Sequence, residues 1–440
     1  MRARAPSAAV FALAAGVVAA DDWPQWRGPR GTGVSSEKGL PTRWGPDDVA
    51  WKARLGGLGI SSPIVWGDRV FVTSQTGRAA LRPGRHPTLA RGPEANAEKP
   101  LGATTEAGGA EGGVRFIVEA FDRRDGRRLW QYALEAEGPL PEVHEKHNLA
   151  SPSPVTDGAH VYAWFGTGQL VALGLDGTFA WQKNLGKEYG PFDIAWGHGS
   201  SPTLHGDTVI LLCDHEPASY LLALDKRTGE VRWKTDRPKG SVSYATPTVV
   251  STASGDELVV NSTTRVDGYD PATGKLLWWA GEPHRFAIPV PAYHDGTLYM
   301  SRGYRSGPYM AVRAGGRGDV SKTHVAWSVP TGAPYVSSLL HYAGLIYMAN
   351  DVGVVTAVDP KTGEKVWQER VEGIFTASPV GADGKVYLVS ETGETIVLAA
   401  GPEPKVLARN SVGERSVATP AFAPGRIFIR TDNHLVAVGR

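Results

Sequence analysis

Cysteine is nearly missing from this chain: Cys213 is the only one in 440 residues. That excludes a disulfide framework, a Cys-based zinc site and a C-x-x-C-H haem attachment. It leaves the compartment open, because a large protein of an oxidising compartment can simply avoid cysteine. Excess charge is missing too. Lys+Arg 46 against Asp+Glu 45 gives a net charge of +1, a balance that argues against nucleic acid or an anionic membrane as the main partner. With 54 Gly and 32 Pro, long helical bundles are excluded. Phosphate loops are absent: Gly56-Gly57-Leu58-Gly59 and Gly315-Gly316-Arg317-Gly318 have no following Lys-Ser/Thr and read as turns. There is no G-x-S-x-G elbow. RTDNH (Arg430–His434) and DRRDG (Asp122–Gly126) lack calcium-loop spacing and read as turn chemistry. What the chain has is aromatic mass, 14 Trp, 14 Tyr and 11 Phe, enough to rule out general disorder and to fill a large core.

The first twenty residues read as an export signal. Arg2 and Arg4 precede an apolar run of thirteen residues, Ala8 to Ala20, which ends Val18-Ala19-Ala20 before Asp21-Asp22. That run is shorter than the ~20 residues of a membrane span, and its layout is that of a secretory signal peptide. The expectation is a periplasmic or secreted, monomeric protein with a 21–47 segment that straps the fold.

Beyond it the chain repeats. Tryptophan recurs in one phase at Trp51, Trp130, Trp181, Trp233, Trp278, Trp327 and Trp367, with successive spacings of 79, 51, 52, 45, 49 and 40, and Leu407 continues the series. The long first spacing contains residues 76–113, a Gly-, Ala-, Pro- and charge-rich stretch without periodicity that reads as a surface insertion. Units of 40–50 residues with several strands each predict a β-propeller. Each unit opens on a small-Ser-Pro element, such as Ser61–Pro63, Ser200–Pro202 or Ala377–Pro379. Each ends in a hairpin of the form A-x-D-x-x-T-G-x-x-x-W, clearest at Ala223–Trp233, Gly268–Trp278 and Ala357–Trp367. In that hairpin Asp225, Asp270 and Asp359 are placed to accept turn amide protons, and Gly229, Gly274 and Gly363 to supply a positive φ. A buried indole covers ~150–250 Å², worth a few kcal/mol per unit at ~25 cal/mol per Å².

Eight opening elements are present. The last unit lacks its Trp strand, and the segment Asp48–Leu55 has a Trp strand and no unit of its own. The expectation is therefore an all-β, eight-bladed propeller of four-stranded antiparallel sheets over residues 48–440, closed by the N-terminal strand joining the last blade. The Ser-Pro elements are expected to be the innermost strands.

The hairpin signature and the N-terminal WPQWRGPRGTG (Trp23–Gly33) resemble those of the pyrroloquinoline quinone (PQQ) repeat propellers, the superfamily of the quinoprotein alcohol dehydrogenases and of the BamB assembly factors. The resemblance spans the whole chain after the signal and implies fold more strongly than activity. For a dehydrogenase it would imply PQQ with calcium, an adjacent Cys-Cys disulfide over the quinone, an Asp base and Glu and Asn calcium ligands. Cys213 is alone, and no Glu, Asn and Asp set matches those positions. A BamB-like scaffold would carry a lipidated N-terminal Cys, also absent. The sequence thus favours a non-catalytic binding module for an envelope protein or a glycan without a cofactor, with a PQQ/calcium dehydrogenase of alcohols or sugars as the alternative.

Ligands of propellers meet the channel mouth, where the loops leading into the innermost strands converge. The candidates there are His144, His147, Asn148, Trp196, His198, Tyr244, Arg285, Phe286, Tyr335, Phe375 and Arg415. His144, His147 and His198 could ligate zinc or copper. Glu145 or Asp193 with a histidine could form an acid/base pair. Trp196, Tyr244, Phe286 and Tyr335 could stack a planar ligand or sugar, or plug the channel. Arg285 and Arg415 could bind an anion or pair with Glu282 and Glu414.

Overall fold

A computed structural model of the protein describes residues 22–77, 113–144, 146–215, 218–304 and 306–439. The export signal, all but the ends of the 76–113 insertion, and Glu145 lie outside the described residues. The chain forms eight antiparallel sheets arranged as blades around an axis. Blades 1 to 7, numbered along the chain, open on the inner strands Ile64–Trp66, Val155–Thr156, Thr203–His205, Thr248–Thr252, Ala292–His294, Leu340–Tyr342 and Val380–Ala382, and each has the order inner, second, third, outer strand in chain sequence. The eighth is built from Ala421–Ala423, Arg426–Arg430 and His434–Gly439, with the N-terminal strand Val49–Arg54 as its outer strand. Trp51 pairs with Ala437 and Arg54 with His434, so the ends of the chain close the ring as expected.

The repeat motif is explained residue by residue. The Ala of A-x-D lies directly across from the Trp: Ala223 pairs with Trp233 and Ala357 with Trp367. In blade 4 that place is Gly268, where a Cβ would stand 2.3 Å from the Trp278 ring. The Asp carboxylates cap the turn, Asp225 Oδ1 accepting from the Arg227 and Thr228 amides, Asp270 from Ala272 and Asp359 from Lys361. A register shift follows in each of these hairpins, the bulge that the positive-φ glycine serves.

The same glycine has a second use. Five of the seven Trp lie on the turn glycine of the following blade: Gly126 under Trp51, Gly177 under Trp130, Gly229 under Trp181, Gly274 under Trp233 and Gly363 under Trp327, while Trp367 keeps only a bond to the Gly401 carbonyl at 3.0 Å. The indole N–H of each donates to a carbonyl of that turn, at 3.0 Å for Trp51 to Arg123 and 2.9 Å for Trp327 to Pro360. Trp278 departs from this. Blade 5 replaces its tight turn with a longer loop whose residues Gly318–Asp319 add a fifth, parallel strand to blade 4. Trp278, fully buried, donates instead to Glu257 at 2.8 Å. Gly229→Ala should destabilise by about 1–3 kcal/mol more than Gly206→Ala. Both glycines have positive φ, but only at Gly229 does a Cβ meet the neighbouring Trp, at 2.7 Å. Urea midpoints of the two variants measure the difference.

The Ser-Pro elements are the lead-ins to the inner strands, not the strands themselves, since each strand begins at the next residue: Ile64 after Pro63, Thr203 after Pro202, Val380 after Pro379. Their hydroxyls also form an axial girdle. The Ser62 amide donates to Ser153 Oγ, Ser153 to Ser201, Ser201 to Thr246, Val290 to Ser338, Ser338 to Ser378 and Ser378 to Thr419, at 2.9–3.0 Å. Blade 5 offers Val290 in the hydroxyl position, so blade 4 has no such acceptor there.

Residues 22–44 run across the end of the channel opposite the lead-in loops. Trp23 makes a two-way backbone bridge with Val65 of blade 1, and Gly33 and Ser35 bond Gly381 of blade 7. Arg27, buried, reaches the Leu339 carbonyl of blade 6 at 2.6 Å. Trp44 is held by Asn410, whose side-chain carbonyl accepts the Trp44 amide at 2.9 Å.

Candidate functional site

At the other channel end, lead-in loops from different blades are tied together before any ligand is considered. The His144 amide donates to the Trp196 carbonyl, and the Tyr244 amide to Ala287. These bonds bring distant aromatics into one arc. His144 and Trp196 ring centroids are 5.7 Å apart, Trp196 and Phe286 6.2 Å, and Tyr244 and Phe286 6.5 Å. The arc continues from Phe286 to Tyr304 at 5.1 Å and from Tyr304 to Tyr335 at 5.4 Å, both edge to face, a favoured geometry for aromatic pairs. Phe286 stands at the centre with φ of 51°, a left-handed conformation costly for a bulky residue and often kept where a side chain must be aimed. Gly303 accommodates it: a Cβ there would stand 2.5 Å from the Phe286 carbonyl oxygen.

The rings enclose an apolar cup of about 180 Å³. Its lining includes His144, His147, Trp196, Tyr244, Phe286 and Tyr335, joined by Ile60, Ile288 and Val336. Lys146 crosses one side and pairs with Glu391 of blade 7 at 3.1 Å, both side chains mostly buried. Thr376 donates to the same carboxylate. His147 is held neutral, its pKa lowered to about 3 by burial and secondarily by His144. Asp351, near this ion pair, is raised, chiefly by burial.

Six of the eleven candidate residues thus meet at the cup. The other five lie elsewhere. His198 is fully buried, its ring between Trp164 at 4.3 Å and Phe192 at 5.3 Å. Asn148 is a buried loop tie, donating to the Leu58 carbonyl at 3.1 Å. Phe375 belongs to the apolar core between blades 6 and 7. Arg285 is exposed. Arg415 pairs with Asp432 rather than with Glu414, and Glu414 instead accepts from His434 and Lys52. Among the described residues no three His, Cys, Asp or Glu side chains are grouped to hold a metal ion. His198 is packed between aromatic rings rather than among the residues that line the cup. Asp193 is exposed. Sequence reasoning missed Tyr304, Glu391 and the apolar floor. Tyr304 sits in a turn after the second strand of blade 5, and only its place in an aromatic, Gly-rich GYRSG loop hinted at it.

A model of the family described as "Outer membrane protein assembly factor BamB" matches residues 114–286, 265–401 and 351–439. The chain belongs to this family of BamB-like PQQ-repeat propellers. It is 21% identical over 315 residues to an outer membrane protein assembly factor BamB of Yersinia pestis, covering 71% of this chain and just under two thirds (66%) of that protein. The BamB structure from Moraxella catarrhalis superposes with a TM-score of 0.57 at 17% identity, over 88% of this chain and 96% of that one. A europium-containing methanol dehydrogenase superposes with a TM-score of 0.68 at 11% identity, over 94% and 90% of the two chains. At those identities the structural likenesses show the fold alone. Among the described residues of this BamB-like propeller no helix is long and apolar enough to cross a membrane.

Proposed function

We propose that this chain is an exported, non-catalytic propeller scaffold whose channel mouth seats an apolar side chain of an envelope partner protein. The observation that carries the reading is the aromatic cup with Phe286 held at positive φ in its centre. Buried aromatic pockets ringed by polar groups are where interface energy concentrates. The assembly-factor name of its relatives and the export signal expected of residues 1–20 support the envelope setting.

The dehydrogenase reading draws support from fold alone. The cup is smaller than the ~300–1,000 Å³ of ordinary cofactor pockets, and its single lysine is committed to Glu391. The residues at the mouth do not fit a calcium ion with a polycarboxylate quinone. A photo-crosslinking residue replacing Tyr335 should trap one discrete partner in envelope extract, and Phe286→Ala on that background should reduce the adduct about tenfold or more. Dye reduction with an alcohol after addition of PQQ and calcium would overturn the proposal, as would unchanged trapping by the Phe286 variant.

A further inference from the structure

We propose that the opposite channel end, beside the strap, is a second ligand site and that its ligand is an uncharged oligosaccharide. The strap closes only part of that end. It is pinned to blades 1, 6 and 7, and beside blades 3 to 6 it walls a cavity of about 1,080 Å³. That is at or above the upper end of the ~300–1,000 Å³ that takes a single small ligand, so it suits an extended chain of units.

The wall is aromatic but not greasy. Tyr299, His341 and His294 form a parallel stack, with His341 5.5 Å from Tyr299 at 11° and 3.9 Å from His294 at 16°. His294 is exposed, ends the stack and lines the cavity. Trp26 of the strap contributes a further large ring to the wall. Between them stand hydroxyls rather than ions. Thr246 already accepts the Ser201 amide at 3.0 Å, which leaves its hydroxyl proton to donate, and Thr248 lines the same wall. The charged groups of the wall, Arg30, Asp295 and Lys361, are all exposed and mark a rim of mixed sign.

Flat ring faces alternating with neutral hydroxyl donors match a pyranose, which offers an apolar C–H face and a polar edge. A formally charged polymer finds no buried counter-ion here. The strap is tied down by backbone bonds at both ends, so the wall stands ready without ligand.

The test uses the full mature chain and three probes: penta-N-acetylchitopentaose, maltopentaose and an acidic pentagalacturonate, followed by calorimetry and tryptophan fluorescence. At least one neutral probe should bind. His294→Ala, at an exposed position that leaves the fold intact, and Trp26→Ala should each weaken it about tenfold. His341→Phe should keep most of the affinity by keeping the stack, and Phe286→Ala, at the other mouth, should change nothing. Failure of both neutral probes, affinity indifferent to His294→Ala and Trp26→Ala, or a preference for the acidic probe would overturn the proposal. None of these results bears on the partner site at the mouth.

Discussion

Deleting residues 1–57 is expected to abolish the cooperative unfolding transition. The deletion removes the outer strand of blade 8, which pairs along Val438 to His434, and with it Trp51, whose ring covers Gly126 of blade 1. It also removes the strap, which packs Trp23 and Trp44 into the same apolar cluster as Phe422 and Phe428. Blade 8 would be left with an unpaired edge and the 8–1 seam without its indole, and an open ring has two such edges to aggregate through. Calorimetry decides it: a truncated chain retaining most of its melting enthalpy would mean the ring does not depend on this closure. A permuted chain gives the converse. Val49 lies across from Val438, so a short turn can join Gly439 to Asp48. A chain permuted there, starting at Gly56 and ending at Leu55, should melt cooperatively without the strap, though at lower temperature.

Acid is expected to weaken the protein through His198. Its pKa is lowered from the usual 6.5 to about 3, first by burial and then by His215 and His147. The folded state therefore keeps the ring neutral while the unfolded state takes up a proton below pH ~6.5. Where the unfolded state binds more protons, stability falls with falling pH. The contribution is intact above pH ~6.5 and is lost progressively toward pH ~3, at about 1.4 kcal/mol per pH unit, or about 3 kcal/mol by pH 4.5. His198→Phe keeps an aromatic ring against Trp164 and Phe192 and removes the titration. Its denaturation midpoint should fall less between pH 7 and 4.5 than that of the native chain. Equal falls would show that His198 does not titrate on unfolding.

The ring was legible because its determinants are local and repeated. Asp225, Gly229 and Trp233 fall within one hairpin, and the same chemistry recurs down the chain, so spacing alone identifies it. The closing strand was legible because the count of Trp strands and opening elements did not match at the two ends. The mouth was only half legible. Loops that lead into inner strands must share a face, so Trp196, Tyr244, Phe286 and Tyr335 could be grouped. Which way each side chain turns is set by tertiary packing: Phe375 and His198 occupy the same loop positions and point into the core. The pairing of Arg415 with Asp432, 17 residues on across a turn, and of Lys146 with Glu391, 245 residues on, leaves no local trace. The fifth strand of blade 4 was hidden for a similar reason, since two residues, Gly318 and Asp319, carry no periodicity.

Five of the eight seams are fastened twice, by a hydroxyl near the axis and by an indole near the circumference, and the two fasteners are separate bonds on separate parts of the blade. Between blades 4 and 5 both have changed: Val290 offers no hydroxyl, and Trp278 has exchanged its glycine seat for Glu257. A graft at the periphery stands in for them. Redundancy of this kind lets one copy of a duplicated module drift in sequence while the circle stays shut, so the junction that has strayed furthest from the consensus is where evolution has had the freest hand to build something new.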